Sequence, residues 1–206
     1  MGVPIPDDID AVAASPTYIW KLKYPFNYEG ESLQEHIGML MDETEQHWGT
    51  GSALETGASF STVYNDKSAP HKWEILEDLI VYLQPKLHAI WHNWGYQPGI
   101  PEPIRSWVNV HKRSGRTMEH YHNGAPMVVS CYLKVPEGSG HFEYRDPLEY
   151  HRWGTPGEPQ IDLWNEVPVE TNDILVFPGW LKHRTQVNRV DDDRVCLTLN
   201  YALADY

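Results

Sequence analysis

The texture of the chain changes after Pro103, and this change limits the folds that the sequence can adopt. Beyond this point, short runs rich in β-branched and aromatic residues alternate with turns of Gly, Pro, Asn and Asp. Runs of this length and composition predict β-strands. They lie at 105–111, 127–135, 141–145, 173–178 and 194–202. Many short strands after a helical segment indicate an α+β protein whose sheets form a sandwich or a small barrel.

The first half of the chain carries two helical patterns. Apolar residues at 3.6-residue spacing over 33–48 predict an amphipathic helix, with Ser32 and Glu35 as its capping box. A second, broader apolar face over 68–94 predicts another helix, with a kink or a division at Pro85. Both helices would pack against the sheets that follow them.

Length and pattern together predict one domain over residues 1–206. Within it, 1–103 would form a mostly helical flanking part, led by an edge strand near 18–22, and 104–206 the β-rich core that binds metal. The two cysteines, Cys131 and Cys196, fall inside predicted strands and are expected to be reduced core residues.

The charge of the chain argues against two classes of partner. A formal net charge of −13 would repel the phosphates of nucleic acids and of anionic membranes. No apolar run resembles a signal peptide or a membrane span. These features predict a cytoplasmic protein that does not bind membranes.

Three histidines in the β-rich half form a candidate metal site. His120 and His122 would project from the same face of a strand, because side chains at i and i+2 point the same way. His183 follows a Phe-Pro-Gly turn at the end of the predicted strand 173–178. Neutral imidazoles are good ligands for iron, zinc or copper. A close pair and a distant third residue can supply one face of a metal ion.

Arg194 adds a second element to this site. Val195, Leu197 and Leu199 alternate with Arg194, Cys196, Thr198 and Asn200, which places the polar set on the opposite face of a strand. A buried guanidinium needs a partner, and a carboxylate held by its bidentate fork is the usual one. The alternative is an ion pair with one of the aspartates at 191–193. Three histidines with this arginine suit a mononuclear iron site that also holds a dicarboxylate, as in an oxygenase.

Other histidines give weaker signals. His88 and His92 share one helix face, but no Glu follows His88, so the zinc-protease pattern is absent. We interpret them as surface residues, and His111, His141 and His151 as isolated.

An ordered set of motifs resembles the 2-oxoglutarate–Fe(II) oxygenases of bacteria and their phages. The resemblance extends from about residue 18 to the end of the chain and rests on the order of the motifs. They are Gly57-Ala-Ser-Phe-Ser61, Trp107-x-Asn109, His120-x-His122, Cys131-Tyr132-Leu133, Phe142-x-Tyr-Arg-Asp146-Pro147, Val176-Phe-Pro-Gly-Trp180-x-x-His183 and Arg194-x-x-x-x-x-Asn200.

The resemblance implies a double-stranded β-helix, the jelly-roll or cupin-like core, with flanking N-terminal helices. It implies Fe(II) held by His120, His122 and His183, and 2-oxoglutarate gripped through its distal carboxylate by Arg194. Further contacts to this co-substrate would come from Asn109, Tyr132, Thr198 and Asn200.

Two departures from the wider superfamily bear on this assignment. His122 stands where Asp or Glu is usual, so that either three histidines hold the metal or His122 points elsewhere and a water replaces it. Cys196 stands where Ser is usual, and a thiol is a weaker hydrogen-bond donor.

The sequence therefore predicts an Fe(II)- and 2-oxoglutarate-dependent dioxygenase that hydroxylates an unknown substrate with release of succinate and CO2. A three-histidine cupin-type metalloenzyme without 2-oxoglutarate, or a non-catalytic jelly-roll binding protein, are the alternatives. A small molecule or a protein side chain is favoured as substrate over nucleic acid. The second helix offers a surface for a homodimer, and Tyr150, Trp153 and Trp164 are expected on the substrate rim.

Overall fold

The computed structural model describes residues 17–25, 33–47, 55–56, 58–65, 67–147 and 164–204. Several predicted features lie outside these residues, namely Ser32 of the capping box, Trp48, Gly57, and the rim residues Tyr150 and Trp153. The prediction of one domain over 1–206 includes such residues and stays a prediction.

The described residues form eleven strands and two α-helices. In chain order they are β1 (Trp20–Lys23), α1 (Leu33–Gln46), β2 (Glu55–Thr56), β3 (Ser59–Ser61), α2 (Glu77–Asn93), β4 (Glu102–His111), β5 (Arg116–Thr117), β6 (Met127–Lys134), β7 (Phe142–Arg145), β8 (Trp164–Val167), β9 (Asp173–Pro178), β10 (His183–Thr185) and β11 (Arg194–Ala202). Two short 3-10 turns precede α2.

The strands form one large and two small antiparallel sheets. The large sheet has the order β1-β9-β6-β11-β4-β3, a three-stranded sheet has the order β10-β7-β8, and β2 pairs with β5. A single bridge between His120 and His183 connects the segment before β6 to the edge of the three-stranded sheet. The arrangement confirms the predicted α+β class with a jelly-roll core.

The large sheet has two different faces because side chains alternate along its strands. On one face, Val195, Leu197 and Leu199 pack with buried leucines of α1 and α2, including Leu40 and Leu83. The other face turns toward the three-stranded sheet, where Tyr132, Phe142, Phe177 and Cys196 form a second apolar cluster. The alternation predicted for β11 is therefore present, and its polar side lines the inside of the jelly roll.

The second helix differs from the prediction in two respects: it begins at Glu77, after two short 3-10 turns, and not near residue 68, and it is continuous. Pro85 does not divide α2, which runs as one helix from Glu77 to Asn93 with the proline on its exposed side. A proline on the solvent side loses one hydrogen bond without displacing core contacts. Gly95, with φ +71°, follows the end of the helix in the left-handed region. In the described part of the chain, no helix is long and apolar enough to cross a membrane.

Asp173 connects the edge strand to the sheet. Its buried carboxylate lies 2.9 Å from Lys21 Nζ and 3.1 Å from Lys23 Nζ, and it accepts a hydrogen bond of 2.7 Å from the Glu170 backbone amide. Burial alone would raise the pKa of Asp173, but the hydrogen bonds from Lys21, the Glu170 amide and Lys23, together with the charge of Lys21, lower it below the ordinary value. The charged carboxylate therefore stabilises the pairing of β1 with β9.

The substitution Asp173→Asn tests this contribution. We expect the free energy of unfolding at pH 7 to fall by about 1–2 kcal/mol, since the lysines are half exposed and solvent screens their charges. Because the folded-state pKa is lowered, the wild-type contribution is complete above the unfolded pKa of about 4 and disappears as the pH falls below it. Urea unfolding between pH 7 and pH 3 should show a smaller acid-side loss in the variant. An equal loss in both proteins would contradict this role.

Candidate metal centre

His120, His122 and His183 converge on one point inside the jelly roll. One ring nitrogen of each lies within 4.8 Å of those of the other two, and Nε2 of His122 is 3.3 Å from Nε2 of His183. Among the residues that the structure describes, no carboxylate joins this cluster. The three imidazoles can therefore offer one face of ligands to a single metal ion.

The two neighbouring histidines do not share a regular strand, contrary to the prediction. His120 makes one bridge to β10, whereas His122 lies in the turn that leads to β6. Their side chains nevertheless converge, because backbone hydrogen bonds to β10 and to the turn before it fix both residues. The prediction that the side chains of His120 and His122 lie close together is therefore correct, although the two residues do not belong to one regular strand.

The outer nitrogen of each ring has an oxygen partner. Nδ1 of His120 donates to the Met118 carbonyl at 2.8 Å, and Nδ1 of His183 donates to the Leu181 carbonyl at 2.8 Å. Nδ1 of His122 donates to Oδ1 of Asn200 at 2.7 Å. Since these oxygens only accept, each Nδ1 carries its hydrogen and each Nε2 keeps its lone pair for the centre.

The buried rings remain neutral at physiological pH. Burial, followed by the neighbouring His120, lowers the pKa of His122 to about 4. Burial and then the other two rings hold the pKa of His183 well below its usual range. Metal binding requires the neutral imidazole, so no proton has to leave these rings before an ion can bind.

A close backbone crossing sets the positions of the ligands. The amide of His122 donates to the Gly179 carbonyl at 2.8 Å, and His120 and His183 exchange two backbone hydrogen bonds of 3.0 Å. A Cβ placed on Gly179 would lie only 1.8 Å from the carbonyl oxygen of Ala125. Glycine is therefore required in the Phe-Pro-Gly turn because the two ligand-bearing segments touch there.

Arg194 lies at the inner end of the same sheet face and is fully buried. Its Nη1 donates to the Ser139 carbonyl at 2.7 Å, and its Nη2 donates to the Gln186 carbonyl at 3.0 Å. Nε has no hydrogen-bond partner among the described residues. A buried guanidinium surrounded by neutral acceptors has a positive charge that the described part of the protein does not compensate.

The alternative ion pair with the preceding aspartates is not formed. Asp191 pairs with Arg113 at 2.9 Å, and Asp192 pairs with Lys134 at 2.5 Å, both near the surface. The guanidinium of Arg194 points instead into the jelly roll, as the alternation of β11 predicted.

His111 is a site residue that the sequence reading missed. Arg194 Nη2 lies 3.1 Å from its Nδ1, and its Nε2 lies 2.9 Å from Thr117 Oγ1. Burial and then the charge of Arg194 keep the pKa of His111 well below its ordinary value. The ring is therefore neutral, accepting from the arginine and donating to the threonine. His111 lies opposite Arg194 where β4 pairs with β11, and this position is what identifies it as a site residue. The sequence does not reveal it, because the register between two strands cannot be read from the sequence.

A narrow cavity connects the histidines to the predicted co-substrate residues. Asn109, Tyr132, Thr198 and Cys196 line it together with the three histidines and His111. Burial, then the nearby Cys196, raises the pKa of Tyr132 well above its usual value, so the phenol stays protonated. Burial also raises the pKa of Cys196 to about 12, which keeps the thiol neutral. The described wall of this cavity thus has hydrogen-bond donors and no carboxylate.

The remaining predicted residues occupy different positions. Asn200 supports His122 from outside the cluster, and its predicted contact to the co-substrate stays a prediction. Trp164 lies in β8, where the Arg184 guanidinium stacks 4.0 Å from its ring centroid. His88 and His92 lie on α2 with their Nε2 atoms 2.9 Å apart, away from the three-histidine cluster. Trp107 stacks on His122 with ring centroids 5.5 Å apart, a contact that the sequence did not indicate.

Comparison with known proteins gives one family match and a set of structural neighbours. A family model described as "Putative 2OG-Fe(II) oxygenase" matches residues 105–200, which contain all three histidines and Arg194. No protein with a curated description matches the sequence.

Three solved structures illustrate the likeness in fold. The alpha ketoglutarate dependent epimerase SnoN from nogalamycin biosynthesis is 14% identical, with a TM-score of 0.59 over 91% of this chain and 79% of its own. HygX from Streptomyces hygroscopicus, solved with nickel and 2-oxoglutarate bound, is 13% identical, with a TM-score of 0.58 over 92% and 84%. A Pseudomonas putida prolyl-4-hydroxylase is 10% identical, with a TM-score of 0.57 over 91% and 93%.

Gly179→Ala should separate the two ligand-bearing segments. The added methyl group cannot coexist with the Ala125 carbonyl, so the turn must shift, with an expected loss of stability of about 1–3 kcal/mol or more. We also expect weaker metal binding, because His122 and His183 would no longer keep their spacing. Thermal unfolding and metal titration measure the two effects. The control Gly38→Ala, on the exposed side of α1, should leave metal affinity unchanged, since a Cβ there meets no neighbouring atom within 4 Å. Unaltered metal binding in folded Gly179→Ala would contradict this account.

Asn200→Ala should remove the acceptor that holds His122 Nδ1. Loss of such an outer hydrogen bond typically weakens metal affinity about 10- to 100-fold. Asn200→Asp keeps an oxygen acceptor and serves as the matched control, with a much smaller expected loss. Competition titration with a chromogenic chelator measures both constants, and equal affinity in wild type and Asn200→Ala would count against the role of this residue.

Proposed function

We propose that this chain, whose residues 105–200 belong to the 2OG-Fe(II) oxygenase family, is an active dioxygenase that uses Fe(II) and 2-oxoglutarate to hydroxylate its substrate. Family and enzyme class are as the motifs predicted, and Fe(II) and 2-oxoglutarate are the cofactors of that family. The individual ligands and the reaction of this chain are our proposal.

The observation that carries the proposal is that three metal-type ligands and a buried cation lie at one cavity and are linked by His111. The three histidines and His111 line this cavity, and Arg194, whose Nη2 lies 3.1 Å from Nδ1 of His111, is buried behind that wall with an Nε that has no partner among the described residues. The three imidazoles fit a divalent metal ion, and the buried guanidinium of Arg194 requires an anion. A dicarboxylate that reaches both would satisfy the two requirements together.

Each residue then has a defined task. His120, His122 and His183 would hold Fe(II), which, with 2-oxoglutarate bound, supplies the oxidising chemistry of the reaction. Arg194 would bind the distal carboxylate, oriented by His111 and by the carbonyls of Ser139 and Gln186. Tyr132, Asn109 and Thr198 line the cavity that contains the histidines, and they would orient the co-substrate and exclude water.

The absence of a carboxylate among the described ligands strengthens the preference for an anionic co-substrate. Three neutral imidazoles leave the full charge of a divalent ion, and the buried arginine adds another positive charge. A dianion lowers the energy of such a site, which its low-dielectric surroundings would otherwise make costly. The same donor set also suits a three-histidine metalloenzyme that binds its organic substrate directly, and the experiment below distinguishes the two.

The biological setting of the enzyme is proposed from composition. The net charge of −13 favours a small molecule or a protein side chain over nucleic acid as substrate. A cytoplasmic location and a homodimer formed through α2 belong to the same proposal.

Anaerobic titration of the iron-loaded protein with 2-oxoglutarate tests the function. A visible metal-to-ligand charge-transfer band should appear in wild type, disappear in His183→Ala, and need at least about tenfold more 2-oxoglutarate in Arg194→Ala, which loses charge-assisted hydrogen bonds. His88→Ala, a histidine outside the cluster, is the matched control and should behave as wild type. Iron binding without a band would move the assignment to the three-histidine metalloenzyme. No iron binding at all would leave a non-catalytic binding protein.

A further inference from the structure

We propose that a polar cleft next to the metal cavity binds the anionic group, a carboxylate or a phosphate, of a small-molecule substrate. The cleft has a volume of about 680 Å³ and lies between residues 62–65 and 68–72, α2 and the beginning of β4. Ser68, His71, Lys72, Gln84 and Arg105 are among its lining residues. The proposal rests on the proposed function, since it names the substrate class of the same active site.

The cleft lies close to two residues that contact His122. Arg105 lies opposite Asn200 in the β4–β11 ladder, and Asn200 is the residue that accepts the hydrogen bond from His122. The Arg105 guanidinium lies 6.0 Å from the ring centroid of Trp107, and Trp107 stacks on His122. A molecule anchored at Arg105 would therefore be one aromatic ring away from the metal centre.

Val63 forms part of the boundary between the two spaces. It lines the cleft and also the cavity that contains the histidines. Arg105 Nη2 donates to the Val63 carbonyl at 2.9 Å, which fixes this boundary at the edge of the cleft. The body of a substrate could lie in the cleft while its reacting carbon passes Trp107 and Val63 toward the metal.

The charge of the cleft differs from that of the whole chain. Lys72 and Arg105 both line it, and Glu102 is the acidic residue among the described lining residues. Within the described part of the chain, no carboxylate forms an ion pair with Lys72 or Arg105. In a protein of net charge −13, two cations without a carboxylate partner on one concave surface favour an anion there.

The size of the cleft supports a small-molecule ligand. The volume of the cleft lies in the range of small-molecule sites, about 300–1,000 Å³, so a metabolite fits it better than a folded protein does.

Titration of the loaded protein with simple anions tests the proposal. The protein would carry Zn(II), a diamagnetic substitute, together with 2-oxoglutarate, so that the Arg194 site is already filled. Amide chemical shifts of Ser68 and Lys72 would be followed during addition of inorganic phosphate and, separately, of acetate at constant ionic strength. We expect saturable shifts, and the anion that binds more tightly identifies phosphate or carboxylate as the preferred group.

Three variants make the test specific, because they are expected to weaken anion binding, to strengthen it and to leave it unchanged. Arg105→Gln should weaken anion binding about tenfold or more through loss of charge-assisted hydrogen bonds. Glu102→Gln should strengthen it, because the acidic lining residue is removed. Lys112→Gln changes the net charge equally, but Lys112 lies over the Phe60 ring outside the cleft, so binding should stay close to wild type.

The outcomes separate this proposal from the proposed function. Absence of saturable shifts at Ser68 and Lys72, or equal weakening by Arg105→Gln and Lys112→Gln, would overturn the anion cleft. Failure of 2-oxoglutarate to shift the amides around Arg194 and Tyr132 would instead count against the oxygenase function, while the titration of the cleft would still be readable.

Discussion

The crossing of two backbone segments at Gly179 is the contact on which the metal centre depends. His122 donates to the Gly179 carbonyl, and His120 and His183 bridge each other through paired backbone hydrogen bonds. The ligands from distant parts of the chain are thus fixed by the main chain, and their side chains need little adjustment. Such preorganisation lowers the cost of forming a site with several ligands, because the backbone is ordered before the metal arrives.

The second constraint is electrostatic. The jelly roll buries the guanidinium of Arg194 and surrounds it with carbonyl oxygens and a neutral imidazole. These neutral acceptors satisfy hydrogen bonds but do not cancel the charge, and the divalent metal proposed at the histidines would add to it. In a low-dielectric cavity such an uncompensated charge is costly, and this cost is the physical basis of the proposed anionic co-substrate.

The sequence predicted much of the fold because the signals are local. The alternation of β11 and the short runs after Pro103 predicted strands whose boundaries match the structure within three residues, and the largest difference is at the start of β4. Of the two alternatives predicted at Pro85, a kink or a division, the division does not occur, because the proline lies on the exposed side of α2, where the helix tolerates it. His111 was missed for a different reason: its role depends on its position opposite Arg194 across two strands.

What the sequence determined by itself is the chemistry of the site: three imidazoles, one arginine, and the periodic pattern that places Arg194 on an inner strand face. Side-chain type and period are local properties, so they can be read without coordinates. Only the tertiary structure decided that the imidazoles converge, that the described hydrogen-bond partners of Arg194 are neutral, and that a polar cleft shares Val63 with the histidine cavity. Those properties arise from strand register and from contacts between segments far apart in the chain, which no local pattern encodes.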